Sequence, residues 1–310
     1  MKNNNNYSNF EVLGIDIGNR TCEAVSQFNY EKPVVFDSKV TIVKPLMTKC
    51  NELILDGVKY YVGEGKLDTD YRKVDKKHYL VLLYTLIALS SKSQNNKIVL
   101  GLPISQVQED ASELINLIMS NSHKEIKING TQRIINITDV EVLPEGVTTV
   151  SDDFNGIIID VGAGTIDCCL MKTVRNERKI LKPVSIPKGI NTFYEEFINR
   201  LNENYTNLGL DFEADDAEEI LDNGYFEYEN EIYNVTSEYY YDYFAEEVIS
   251  KLRNSKYPLK NKPVSLTGGG SIALYNSFKK LIGNNVTIQD EPLFANARNF
   301  YELGVNIFSR

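Results

Sequence analysis

The chain has 310 residues, more than one hydrophobic core usually fills, so two domains are expected. Its apolar fraction of 42% is too high for a disordered chain, and its 25% of charged residues is ordinary for a globular one. A formal net charge of −10 repels phosphate backbones, so direct nucleic-acid binding is not expected and contact with DNA requires an adaptor.

The N-terminal MKNNNNYSNF lacks the apolar core of a signal peptide and reads as a disordered polar tail. The longest apolar stretch, Tyr79–Leu89, is about half of the roughly 20 residues that span a bilayer, so it reads as a buried helix and no membrane association is expected. Four cysteines without a CxxC pair suit a reducing cytoplasm. Two histidines leave little material for a histidine metal site or a Ser-His-Asp triad.

The first pattern is an apolar strand, Glu11–Ile17, the turn Gly18-Asn19-Arg20, and extended character over Thr21–Asn29. Asp56-Gly57 and Asn129-Gly130 each join two strand-like runs and favour the positive φ of a type I′ hairpin turn. Between them lie the buried helix and a strand, Ile98–Leu100, that runs into Gly101-Leu102-Pro103. Ser105 and Gln108 have the spacing of a capping box for a helix that continues to about Asn121.

The second half repeats the opening. Gly156–Val161 is a strand, Gly162-Ala163-Gly164 a turn, and Thr165–Lys172 a second strand. GIDIGNRT and IIDVGAGT align with Asp16 on Asp160, 144 positions apart, about one domain length. Duplication of an α/β half explains the match; coincidence of so short a pattern is the plainer alternative. Helices are predicted over Asn191–Tyr205 and Ser237–Asn254, flanking an acidic, tyrosine-rich stretch, Asp211–Tyr243. That stretch reads as a small subdomain's core and skin, or as a subunit interface. The basic Lys251–Lys262 reads as a solvated connector, or as a contact for an acidic partner. A strand over Pro263–Thr267, glycines 268–270, a helix over Ser271–Ile282 and a last helix, Leu293–Leu303, broken at Gly304, complete the chain.

Glycine turns at the ends of buried strands aim successive N–H groups at one phosphate. An aspartate at the strand end repels phosphate but can hold a hydrated Mg²⁺ that bridges phosphate oxygens. Either turn by itself is equally an ordinary hairpin. Leu266-Thr267-Gly268-Gly269-Gly270-Ser271 lets a flat base or ribose lie on the backbone at a helix N-terminus; a plain helix entry capped by Ser271 is the alternative. Glu145, in Pro144-Glu145-Gly146 after the apolar run Val140–Leu143, can orient or deprotonate a water in line with a γ-phosphate, or simply sit in an exposed turn. Neither GxxxxGK[ST] nor a strand-linked GxGxxG occurs, which disfavours P-loop and dinucleotide folds.

Together these segments resemble the actin/Hsp70/sugar-kinase ATPase superfamily. Gly14–Thr21 and Ile158–Asp167 look like its two phosphate motifs, Val142–Val147 and Ala295–Gly304 its connecting motifs, and Leu266–Ser271 its adenosine motif. Within it the chain is most similar to actin-like plasmid-segregation ATPases of the ParM type. The resemblance implies an α/β, two-domain actin-like fold, a duplicated ribonuclease H-like architecture with a nucleotide cleft between the domains. Residues 1–150 form domain I, with an insertion at about 33–72 and the C-terminal helix 293–310 joined to it. Residues 151–292 form domain II, with an insertion at about 191–260.

It implies that ATP or GTP binds with Mg²⁺, that Asp16 and Asp160 hold the ion through water, and that Glu145 and Asp160 are catalytic. Asp16, Gly18, Asn19, Arg20, Thr21, Gly162, Ala163, Gly164, Thr165, Gly189, Gly268, Gly269 and Gly270 are the nucleotide-binding residues. Relatives often place Lys or Gln seven residues after the first Asp; here that position is Glu23, and Arg20 is the candidate replacement for the missing charge. The implied function is a cytoplasmic, filament-forming ATPase or GTPase. It segregates plasmid DNA through an adaptor of the ParR type, and hydrolysis triggers disassembly. The alternatives are a small-molecule kinase of the same superfamily and a nucleotide-switched chaperone or regulatory module.

Overall fold

The computed structural model describes residues 10–46, 49–67, 70, 72–175 and 177–309, so most of the polar segment expected to form a disordered tail lies outside the described residues. The chain divides into two units, one comprising Met1–Thr149 and Phe294–Arg310, the other Val150–Leu293. Each has its own core.

Unit 1 runs β1 (Glu11–Ile17), β2 (Thr21–Val25), β3 (Val34–Asp37), β4 (Lys39–Thr41), β5 (Asn51–Leu55), β6 (Val58–Val62), β7 (Lys66–Leu67), α1 (Tyr79–Ser90), β8 (Asn95–Leu102), α2 (Ile104–Met119), β9 (His123–Ile128) and β10 (Thr131–Pro144). The strands form one sheet in the order β3-β2-β1-β8-β10-β9-β5-β6-β4-β7. β1, β8 and β10 are parallel neighbours, which sets the ends of β1 and β10 on the same edge. α1 is apolar all round and buried nearly all round, and its mid-helix hydroxyls are satisfied, Thr85 donating to the Val81 carbonyl and Tyr84 to the Asn121 carbonyl. Asp56-Gly57 and Asn129-Gly130 both take positive φ, as the type I′ reading requires.

Unit 2 runs β11 (Ile157–Val161), β12 (Ile166–Val174), β13 (Glu177–Ile186), α3 (Ile190–Asn204), α4 (Ala217–Asn223), β14 (Tyr225–Tyr228), β15 (Glu231–Asn234), α5 (Ser237–Asn254), β16 (Val264–Thr267), α6 (Ser271–Ile282) and β17 (Val286–Ile288). Its sheet has the order β13-β12-β11-β16-β17, and β14-β15 is a separate hairpin. β11 is buried along its whole length, which is why it reads as apolar at every position but Asp160. The tyrosine-rich stretch packs as a subdomain core: Phe226 stacks on Tyr233, and Tyr205 and Phe212 meet its ring edge-on. α7 (Ala295–Phe308) returns to unit 1 and packs on β1 and β8.

Four local expectations need correction. β2 stops at Val25 because Asn29 folds back, its Oδ1 accepting from the Ser26 N–H and its Nδ2 donating to the Ala24 carbonyl. The capping box at Ser105 does not form; Pro103 is the N-cap of α2, so Ser105 already lies in the first turn. Ser271 likewise lies inside α6, its hydroxyl donating to the Gly268 carbonyl, while Gly270 occupies the cap. α7 does not break at Gly304. A Cβ there would lie 2.8 Å from Val12 and 2.7 Å from Val99, so glycine serves helix–sheet approach and not termination.

Candidate functional site

In unit 1 the turn after β1 is held by the Gly18 N–H donating to the Thr21 carbonyl at 3.0 Å. A Cβ on Gly18 would lie 2.7 Å from that oxygen, so the turn requires glycine. Asn19, Arg20 and Thr21 complete the turn, and the Arg20 carbonyl accepts from Ser38 N–H. Asp16, one residue from the end of β1, faces Glu23 across the antiparallel ladder.

Asp16 is the centre of an ionic cluster that the sequence reading did not anticipate. Lys73, from the short 3₁₀ turn Lys73–Asp75, sets its Nζ 3.1 Å from Asp16 Oδ1 and donates as well to Glu145 Oε1. Glu145 follows β10 and is fixed by its N–H donating to the Leu102 carbonyl of β8. Gly101 makes room for it, since a Cβ there would lie 2.8 Å from Glu145 Cγ. Asn296 of α7 closes the cluster: Nδ2 donates to Asp16 Oδ2 at 3.2 Å, and Oδ1 accepts from the Gly146 N–H at 2.8 Å.

The 3₁₀ turn is itself clamped. Arg72 Nη2 lies 2.8 Å from the buried Asp110 of α2 and 2.9 Å from Glu113. A second buried lysine, Lys76, donates to the Gly18 carbonyl at 3.4 Å. Lys73 and Lys76 thus bring two further positive charges to the first turn, beside the candidate Arg20. The signal was the run Arg72-Lys73-Val74-Asp75-Lys76-Lys77, a dense basic cluster immediately before the most apolar helix of the chain.

Burial opposes a charge on Lys73, but the Asp16 and Glu145 carboxylates outweigh it and hold the ammonium above the ordinary lysine range. Glu23 is displaced upward too, which in an acid favours the neutral form: burial first, then the Asp16 charge, push its carboxyl well above the usual range, and its Oε1 has no hydrogen-bond partner. The first turn therefore offers a carboxylate–ammonium–carboxylate cluster with one negative charge in excess, beside a carboxyl group that resists ionisation.

In unit 2 the corresponding turn has the same backbone bond, Gly162 N–H to Thr165 carbonyl at 2.9 Å. Asp160 faces Asp167 across the β11–β12 ladder, and Thr165 Oγ1 donates to Asp167 Oδ2 at 2.8 Å. Gly189 brings the N-terminus of α3 onto this turn, with the Ile190 and Asn191 N–H groups donating to the Gly162 and Ala163 carbonyls, both at 3.0 Å. A Cβ on Gly189 would lie 2.3 Å from the Ala163 oxygen. Gly268, with φ +81, leaves an equally tight cradle, since a Cβ there would lie 2.3 Å from Asp160 Oδ1. Gly270 N–H donates to the Val161 carbonyl, and Gly269 meets only the flexible Leu293 side chain.

Within each unit the expected residues come together: Asp16, Gly18–Thr21 and Glu145 in the first, Asp160, Gly162–Thr165, Gly189 and Gly268–Gly270 in the second. Among the described residues no group of three or more His, Cys, Asp or Glu could hold a metal ion. Magnesium commonly takes one or two carboxylates and completes its shell with water and phosphate oxygens. Within its own unit each strand-end aspartate, Asp16 and Asp160, is a carboxylate of the kind such an ion takes, and Asp160 is closely cradled by Gly268.

Residues 14–147 match the family of actin-like proteins, N-terminal domain. At the level of sequence, no curated protein matches the chain. Among solved structures, the 15-stranded ParM filament from Clostridium botulinum is 19% identical with a TM-score of 0.79, covering 96% of this chain and 100% of that one. Ta0583, an archaeal actin homolog in complex with ADP, is 18% identical with a TM-score of 0.80 and the same coverages of 96% and 100%. The filament of AlfA from B. subtilis plasmid pLS32 is 16% identical with a TM-score of 0.62, covering 96% and 98%. The resemblance drawn from the sequence motifs holds: this chain has a mixed α/β, actin-like fold, similar along nearly its whole length to ParM and other actin-like filament proteins.

Proposed function

We propose that the chain is a nucleotide-dependent polymerising protein that forms dynamic filaments and segregates plasmid DNA through a DNA-binding adaptor of the ParR type. Hydrolysis of ATP or GTP triggers filament disassembly. The observation that carries the reading is the Asp16–Lys73–Glu145 cluster at a glycine turn, in a fold similar over 96% of the chain to filament structures. Among the described residues no helix is long and apolar enough to cross a membrane.

The backbone N–H groups of Gly18–Thr21 and Gly162–Thr165 serve the phosphates, and Gly268–Gly270 receive the nucleoside. Asp16 and Asp160 would hold Mg²⁺ through water, and the ion would supply neutralisation of phosphate charge. Glu145 accepts the proton of the attacking water, and Lys73 keeps its carboxylate oriented and balanced. Loss of the γ-phosphate removes contacts that favour the polymerising conformation.

Sedimentation and light scattering with Mg²⁺ and ATP or GTP test the reading. A nucleotide-dependent rise in scattering that decays as phosphate is released is the expected result. Turnover that stays monomeric and accelerates with a hydroxyl-bearing small molecule contradicts it and identifies a kinase.

A further inference from the structure

Unit 2 carries opposite charge at its two ends. β12 pairs with β11 only from Ile166 to Leu170, so the β12–β13 hairpin continues past the end of β11. It exposes Lys172 and Lys179, which face each other directly across the ladder, and Lys182 farther along β13. Like charges placed opposite one another in a ladder repel, so this pair gains from an anionic partner. Lys182 Nζ donates to the Lys256 carbonyl at 2.8 Å, and the Tyr257 hydroxyl donates to the Lys182 and Cys168 carbonyls. These bonds lay the connector with its exposed Lys256, Lys260 and Lys262 against the hairpin. Among the described residues, the ion pair these six lysines make is Lys179 with Glu177 at 3.9 Å, and nearby Arg178 is taken by Asp152.

The other end is acidic. Residues 211–231 hold ten Asp and Glu and no Lys or Arg. α5 separates the two ends: at its N-terminus Ser237 Oγ donates to the Leu221 carbonyl in the acidic segment, and at its C-terminus Tyr257 N–H of the connector donates to the Leu252 carbonyl. Its 18 residues span about 27 Å, roughly three Debye lengths at physiological salt. A single copy therefore cannot neutralise its basic end with its own acidic end. A second copy stacked head to tail can, and the same contact then repeats without closing.

We propose that the basic surface of the 172–182 hairpin and the 256–262 connector docks the acidic segment 211–231 of a second copy; this rests on the self-association proposed above and names the surfaces that carry it. The net charge of −10 disfavours a nucleic acid as the occupant.

The test is sedimentation of the full chain with Mg²⁺ and nucleotide. Reversing Lys179, Lys182 and Lys260 to Glu should raise the critical concentration for assembly about tenfold or more, because like charges then meet at the contact. Reversing Glu219, Asp222 and Glu227 to Lys should do the same, and the chain carrying all six changes should assemble again. Wild-type assembly should weaken as salt rises from about 0.05 to 0.5 M, a measurement that needs no variant. A critical concentration unmoved by either reversal, assembly indifferent to salt, or loss of duplex-DNA binding in place of loss of assembly overturns the docking surface. Failure of the wild-type chain to assemble with any nucleotide overturns the self-association reading itself, so the two failures are distinguishable.

Discussion

The two glycine turns share a backbone and differ in their surroundings. The same N–H to carbonyl bond closes both, at 3.0 Å for Gly18 and 2.9 Å for Gly162. Around the first stand charged side chains from separate parts of unit 1: Asp16, Lys73, Lys76 and Glu145. Around the second stand mostly glycine and main chain, from the α3 entry at Gly189 and the β16–α6 junction at Gly268–Gly270. A repeated strand–turn–strand unit fixes where N–H groups point; the side chains added to it decide whether a turn does proton chemistry or holds a ligand. The first turn is built for charge, the second for close approach.

The largest effect should come from removing the cation at the first turn. Lys73→Met leaves two partly buried carboxylates without their shared partner, and unit 1 should lose about 3–5 kcal/mol in denaturant unfolding. Adding Glu145→Gln should restore part of that loss. Wild-type stability in the single variant removes the ionic cluster from the account of this turn.

Glu145→Gln by itself keeps the shape and the contact to Lys73. Hydrolysis should fall about 100-fold or more with nucleotide affinity little changed, as expected when a general base is lost. Equal loss of binding and turnover assigns Glu145 to binding instead.

Gly189→Ala probes the second turn. Its Cβ meets a backbone oxygen at 2.3 Å, so the turn or α3 must shift, and a loss of roughly 1–3 kcal/mol in stability or nucleotide affinity is expected. Gly269→Ala meets only the end of Leu293 at 3.0 Å and should cost less. Equal effects of the two substitutions erase the distinction between a tight and an open glycine.

Glu23 gives the most pH-specific effect. Its folded carboxyl is displaced upward, so the folded chain binds a proton that the unfolded chain releases above about pH 4.3. Its contribution is complete below that pH and is lost as pH rises through the folded value. Glu23→Gln should flatten that decline, with a gain at higher pH of about 1.4 kcal/mol for each unit of displacement. Parallel stability-versus-pH curves for the two proteins contradict the assignment. Lys73, displaced upward from the ordinary lysine range, should add no slope between about pH 5 and 9.

Much of this was legible in the sequence because it lies in local pattern. The paired Asp-x-Gly turns, the two positive-φ hairpins and the buried α1 all follow from short runs of residue type. Lys73 was not legible: it reaches Asp16 across 57 positions and Glu145 across 72, and only the folding of the 3₁₀ turn onto α2 through Arg72 and Asp110 brings them together. Asn296, 280 positions from Asp16, was hidden for the same reason. Gly304 misled because a glycine late in a helix signals termination just as well as close packing, and only Val12 and Val99 decide between them.

The central claim is that the glycine turns of this chain bind a nucleoside triphosphate. Titration calorimetry of the intact chain with ATP and GTP in the presence of Mg²⁺ tests it most directly. Saturable heat with at least one of the two nucleotides, sharply reduced in Asp160→Ala, is the predicted result. No heat with either nucleotide, or identical binding by the variant, contradicts the claim.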